Sequence, residues 1–218
     1  MTNKYKDSNK IKNNVKINEK DIFYTAVFIL IGILTRTTFH IGANIEFVTG
    51  LSISAGFFFK NKRISFLVPF LIMFFSDLII GNTNIFWFTW SGFLAGPVIG
   101  IMIDRYIAKK DRTRLSRTVT LSTAGGVIST LIFYIWTNLG VVLLTNMYSK
   151  DVEGLIQSYI NALPFLRNQF LGNLFIVPLT LVSIIVFNRL SSSSSLFGNK
   201  LTIYKNSFLP ESKTRRAS

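Results

Sequence analysis

The sequence has no cysteine and a single histidine in 218 residues. Disulfides and thiolate metal sites are thereby excluded, and a multi-histidine metal centre with them. Charge is scarce: 16% of the residues are charged, where a soluble domain carries about 25%. Acid is the scarcer sign, with 10 Asp and Glu against 24 Lys and Arg and a formal net charge of +14. No GxxxxGK[ST] loop occurs, so any ATP-driven step must come from another chain. HExxH and GxSxG are also missing, and no second acid in the third apolar run could form a dyad with Asp77. The chain is therefore expected to be no enzyme, with no catalytic residue, no cofactor and no metal.

What is abundant is apolar. Hydrophobic residues make up 49% of the chain, 21 of them Phe, and the mean hydropathy is +0.41. Lipid is the solvent that suits such a composition, and at about 20 apolar residues per crossing several crossings fit. Six apolar runs are separated by charge: Ile22 to Phe39, Asn44 to Phe59, Ile64 to Ile80, Ile85 to Ile103, Val119 to Leu144 and Leu171 to Phe187. The second is the shortest and most polar. The first lacks a small-x-small cleavage pattern, so it reads as a mature helix rather than a signal peptide. An all-α, polytopic six-helix bundle over 22–188 is expected, between a basic leader (1–21) and a flexible basic tail (189–218) that contains the serine run Ser191 to Ser195.

The basic residues orient this bundle. Of the 24, 21 fall in four places: the leader, Lys60 to Arg63, Arg105 to Arg117, and the segment from Arg189 onward. Six crossings put all four on one face, and the positive-inside bias makes that face cytoplasmic, with both termini inside. Topology accounts for the positive charge, so nucleic acid is not an expected partner. Anionic lipid headgroups are, at about 1 kcal/mol per basic residue near the surface.

Two helix-packing signals stand out. Gly92, Gly96 and Gly100 recur every four residues, a small-residue ridge of the kind that lets helices approach closely in lipid, within this chain or against a partner. Pro97 lies in the ridge and is expected to bend the helix. Between Asp151 and Phe165, the residues Val152, Leu155, Ile156, Tyr159, Ile160 and Leu163 form one apolar helical face opposite a polar one. With Pro164 making Leu163 the expected last helical residue, this reads as an extra amphipathic helix on the outer surface, either an anchor or a lid.

Polar residues gather at the outer ends of the runs: Arg36, Thr37, Thr38, His40, Asn44, Glu46, Ser76, Asp77, Asn82, Asn84, Trp87, Trp90, Thr137, Asn138, Arg167, Asn168 and Asn173. Trp87 and Trp90 fit an interfacial belt as well as a site. Asp77 is the anomaly. An acid in the bilayer costs about 2.5–3.5 kcal/mol at mid-depth, and such acids face a cavity or a partner charge. Arg36 and Arg167 are the basic candidates, either in a structural ion pair or around a bound solute.

The stretches "ANIEFVTGLSISAGFFFKNKRISFLVPFLIMFFSDLIIG", "WTNLGVV" and "MYSKDVEGLIQSYINALPFLRNQFLGNLF" resemble a family of uncharacterised bacterial membrane proteins assigned to transport, which are similar to substrate-binding S components of energy-coupling factor (ECF) transporters. The resemblance runs from about Arg36 to Phe187 and is most specific at Ser76, Asp77, Gly81, Asn138, Gly140, Gly154, Leu155, Tyr159, Ala162, Pro164, Phe165, Asn168 and Gly172. Here Phe47 and Ser149 replace Pro, Ser158 replaces Cys, and Asn173 replaces an Asp, so this chain has no second acid near Gly172. The resemblance implies a membrane bundle that binds a small solute from outside and docks on a transmembrane scaffold driven by ATPase subunits. A membrane scaffold without a ligand and an intramembrane enzyme are the alternatives. The expected solute contacts are Arg36, Asn44, Ser76, Asp77, Trp87, Asn138, Tyr159, Arg167 and Asn168.

A reporter fused to the C-terminus is expected to be active only in the cytoplasm. Activity confined to the opposite side of the membrane would remove the six-crossing topology.

Overall fold

Alternation of apolar runs with short polar breaks dictates helices, and helices are the only regular structure among the described residues, which are 19–39, 45–109 and 115–190 of the computed structural model. In chain order they are α1 (Glu19–Thr37), α2 (Val48–Phe58), α3 (Leu67–Ile80, entered through a 3-10 turn at Ile64–Phe66), α4 (Phe86–Phe93), α5 (Ala95–Ala108), α6 (Leu115–Leu144) and α7 (Val152–Leu190). Most of the expected leader and tail, His40, Asn44 and the Ser191 to Ser195 run lie outside the described residues. Three stretches are long and apolar enough to cross a membrane: Phe86–Ala108, Leu115–Leu144 and Val152–Phe187. Val48–Phe58 and Ile64–Ile80 are apolar but shorter.

The second run, expected to cross from Asn44 to Phe59, forms a helix of only 11 residues, and all of them are buried. Such a helix is about 16 Å long at 1.5 Å per residue, short of a hydrocarbon layer of about 30 Å, while Glu46 before it and Lys62 after it stand at opposite ends of the bundle. It is the core of the bundle rather than a wall. Its small residues explain why: a Cβ on Gly56 would strike the Pro97 backbone, and one on Gly100 would strike the Ile53 carbonyl. Backbone therefore meets backbone between α2 and α5. On the α7 side, a Cβ on Gly50 would lie 2.8 Å from Thr180 Oγ1. Close approach lets dispersion hold helices together where lipid offers no hydrophobic drive.

The fourth run is interrupted one turn before Pro97. α4 ends at Phe93 and α5 begins at Ala95. Pro97 has no N–H for the Phe93 carbonyl, and its ring crowds that carbonyl, so the interruption appears one turn before the proline. In the first turn of α5 the missing donor costs nothing. The break also divides the glycine ridge. Gly96 and Gly100 face Ser52 and Ile53 of α2, whereas Gly92 faces the Phe133 ring of α6.

The extra surface helix expected at Asp151 to Phe165 does not exist as a separate element. It is the first part of α7, which runs unbroken for 39 residues with Pro164 and Pro178 inside it. Leu163 therefore does not end it. Tertiary contact overrides the local proline rule: Tyr134 Oη donates to the Tyr159 carbonyl at 2.6 Å, and Tyr159 Oη donates to the Ile135 carbonyl at 3.1 Å. Both bonds tie α7 to α6 close to Pro164. The helix starts where Asp151 Oδ1 accepts the Gly154 N–H at 2.8 Å and the Ser149 hydroxyl at 2.7 Å, an N-terminal cap on a tight turn. The Gly154 N–H holds the exposed Asp151 carboxyl below its ordinary value. The cap is thus complete at neutral pH and is lost as pH falls through that lowered value.

One end of the bundle is closed by polar ties. Buried Asp21, on the first turn of α1, accepts the Asn61 N–H at 2.9 Å. Lys62 pairs with Asp104 of α5 at 2.8 Å and donates to the Gly56 and Phe57 carbonyls, covering the C-terminus of α2.

Gly100→Leu is expected to cost about 2 kcal/mol or more, because α2 and α5 have no room between their backbones. Thermal unfolding in detergent measures it. An unchanged midpoint would mean that the two helices are not in backbone contact.

Candidate functional site

At the other end of the bundle, α1, α3, α4 and the approach to α2 bring charge together. Arg36 lies in the last turn of α1, where a cation suits the helix dipole. Asp77 lies in the last turn of α3. That helix stops at Gly81, whose φ of +87° favours glycine and whose N–H bonds the Asp77 carbonyl at 3.0 Å. Arg36 Nη1 is 3.1 Å from Asp77 Oδ1, and Arg36 Nε is 3.4 Å from Glu46 Oε2. The same Nη1 donates to Ser76 Oγ at 2.9 Å. Ser76 in turn donates to the Ile72 carbonyl at 2.6 Å, so its oxygen is presented to the guanidinium.

The second Asp77 oxygen is taken by α4. Trp90 Nε1 donates to Asp77 Oδ2 at 2.7 Å. Its ring is held in an aromatic group, with centroids 5.3 Å from Phe86, 5.5 Å from Phe70 and 6.0 Å from Phe74. The Arg36 and Asp77 side chains are only 9% and 8% exposed, which leaves Glu46, at 27%, as the wettest of the three charged groups. In so apolar a setting an unpaired charge is costly, and the guanidinium sets one carboxylate on each of two nitrogens, though Nε and Glu46 Oε2 meet as an ion pair without a hydrogen bond. The cluster can bind charge or hydrogen-bonding groups.

Of the residues expected to touch solute, Arg36, Ser76 and Asp77 meet. Asn44 lies outside the described residues. Trp87 is 65% exposed and stacks on Phe86 without reaching the carboxylate. Asn138 and Tyr159 serve the α6 to α7 contact: Asn138 Nδ2 donates to the Tyr134 carbonyl at 2.8 Å, and Ser158 Oγ donates to the Asn138 side chain at 3.3 Å. Buried Asn173 adds a bond to Thr130 Oγ1 at 2.8 Å. Arg167 is exposed and Asn168 half-buried on α7. Neither shares a hydrogen bond or ion pair with Asp77 among the described residues. The partner of Asp77 is therefore Arg36 and not Arg167. Glu46 and Trp90, both among the outer polar residues, complete the cluster. Their signal was the depth they share with Asp77.

Residues 16–194 match a family of unknown function, DUF6580. The chain belongs to that family. The matched range takes in every helix described above and the whole charged cluster. No curated protein and no solved structure matches the chain.

Trp90→Phe preserves the ring packing and removes the donor to a buried carboxylate. It is expected to cost about 1–3 kcal/mol, whereas Trp87→Phe, at an exposed position, stays within about 0.5 kcal/mol. Denaturant unfolding of the purified variants separates the two. Equal effects would mean that the Trp90 N–H does not hold Asp77.

Proposed function

We propose that this DUF6580 chain is a membrane-embedded solute-binding component of an uptake transporter, similar to an ECF S component. In this reading it crosses a bacterial inner membrane six times, keeps both termini in the cytoplasm and captures a small polar solute from the outer side. A separate transmembrane scaffold and ATPase subunits supply the energy. The observation that carries the reading is the Arg36, Glu46, Asp77, Ser76 and Trp90 cluster at one end of the bundle. Two carboxylates on one arginine, with an indole donor and an aromatic group beside them, exceed what a helix contact in lipid needs. The parallel ties of α1 to the segment that carries α3, from Asp21 with Asn61 at one end to Arg36 with Ser76 at the other, support crossings by both helices in the same direction.

A second reading has its own support. Both Asp77 oxygens already have partners within the chain, as a purely structural ion pair in a membrane scaffold would have. On the transport reading, solute exchanges with one of those partners.

Asp77→Asn distinguishes the two. The isosteric variant, less stable because Arg36 keeps only Glu46 as a charged partner, should still insert and purify but lose at least about tenfold in solute retention, read by native mass spectrometry of protein taken directly from membranes. A wild-type protein that retains no small molecule, or an Asp77→Asn variant that retains it undiminished, contradicts solute binding at this cluster and favours the scaffold.

A further inference from the structure

An open apolar groove of about 860 Å³ runs between α5 and α6, with Ser91 and Gly92 of α4 at one end, and none of the charged residues of the cluster lines it. Val98, Met102, Ala124, Gly125, Ile128 and Trp136 are among its lining residues, and almost no polar surface is exposed in it. Small side chains make it deep. Gly125 lets the Ile99 side chain seat directly against α6, so that Ile99 forms the floor and Ala124 leaves the wall low. Val98, Met102 and Ile128 remain exposed along its rims.

The groove leads into positive charge. On α5, Val98 and Met102 are followed on the same helical stripe by Arg105 and Lys109, at i+7 and i+11 from Val98. On α6, Leu121, Ala124 and Ile128 are preceded on their stripe by Arg117, four residues before Leu121. Because α5 ends and α6 begins at this end, all three basic residues stand at the mouth of the same groove. They are exposed and enter no ion pair among the described residues. At the far end, Trp136 Nε1 donates to Ser91 Oγ at 2.8 Å and closes the groove. From Met102 to Ser91 the groove is roughly 16 Å long at 1.5 Å per residue, close to one leaflet of a hydrocarbon core about 30 Å thick.

We propose that this groove is a binding site for one anionic phospholipid, with an acyl chain lying against Ile99 and Gly125 and the phosphate held by Arg105, Lys109 and Arg117. The inference rests on insertion in a membrane and is independent of the solute reading. Charge complementarity selects this occupant. An apolar partner helix would fill the groove yet leave the basic mouth without a counter-charge, and a neutral lipid would do the same.

The full chain, delipidated in mild detergent, is titrated with phosphatidylglycerol or with phosphatidylcholine of identical acyl chains, and bound lipid is counted by native mass spectrometry. Phosphatidylglycerol should bind about tenfold more tightly. The exposed double variant Arg105→Gln with Arg117→Gln should abolish that preference. Ala124→Leu, which fills the groove from an exposed position, should weaken both lipids, and unfolding midpoints of both variants should stay near wild type. Equal affinity for the two lipids, no binding of either, or a preference that survives the double variant overturns the proposal. So does a second copy of the chain in the groove, detected as a dimer that Ala124→Leu dissociates while lipid binding persists.

Discussion

A guanidinium can sit inside an apolar bundle only where carboxylate meets it, and the pairing of Arg36 with Asp77 and Glu46 imposes that condition on three helices together. The end of α1, the end of α3 and the approach to α2 must arrive at one point, and α4 must present Trp90 to the remaining Asp77 oxygen. Misplacing α1 or α3 would leave a buried charge without its partner, at a cost of several kcal/mol, and misplacing α4 would leave a buried carboxylate oxygen without its donor. The opposite end repeats the logic with Asp21 on the Asn61 backbone and Lys62 on Asp104. Between these polar ends the middle of the bundle is free to be held by shape alone.

That middle is organised around α2. A helix of 11 fully buried residues needs neighbours on every side, and Gly50, Gly56 and Gly100 let α5 and α7 come close enough to surround it. The long helices α6 and α7 then form a hairpin, joined by the Asp151 cap and by the reciprocal tyrosine bonds. Hydrogen bonds and close contacts take the place that hydrophobic burial has in water, because lipid tails are as apolar as the side chains they touch.

Much of this is legible in the residues, and what is not has definite physical causes. Asp77 is conspicuous because a lone acid in a phenylalanine-rich run needs an explanation. Its partner is not, since Arg36 and Arg167 are equally eligible until the helices are placed in space. The helical character of 152–163 follows from its apolar period, but its continuity with the last run does not: Pro164 is a local stop signal, overridden by bonds to α6 that sequence spacing cannot show. Lys62 counts towards the basic loops, yet its ammonium caps α2 and pairs with Asp104, contacts that a tally of charge has no means to reveal. The second run reads as an apolar segment by its composition, whereas its complete burial depends on close contacts through Gly50, Gly56 and Gly100 that composition cannot show.

The central claim is that Arg36 and Asp77 are energetically one unit. A double-mutant cycle with Arg36→Met and Asp77→Leu, read by unfolding in mixed detergent micelles, tests it most directly. Arg36→Met is expected to be the more damaging single change, since it strands two carboxylates, and the double variant should recover about 1–3 kcal/mol relative to the sum of the singles. Additivity within about 0.5 kcal/mol would contradict the claim, leaving the two side chains as independent neighbours.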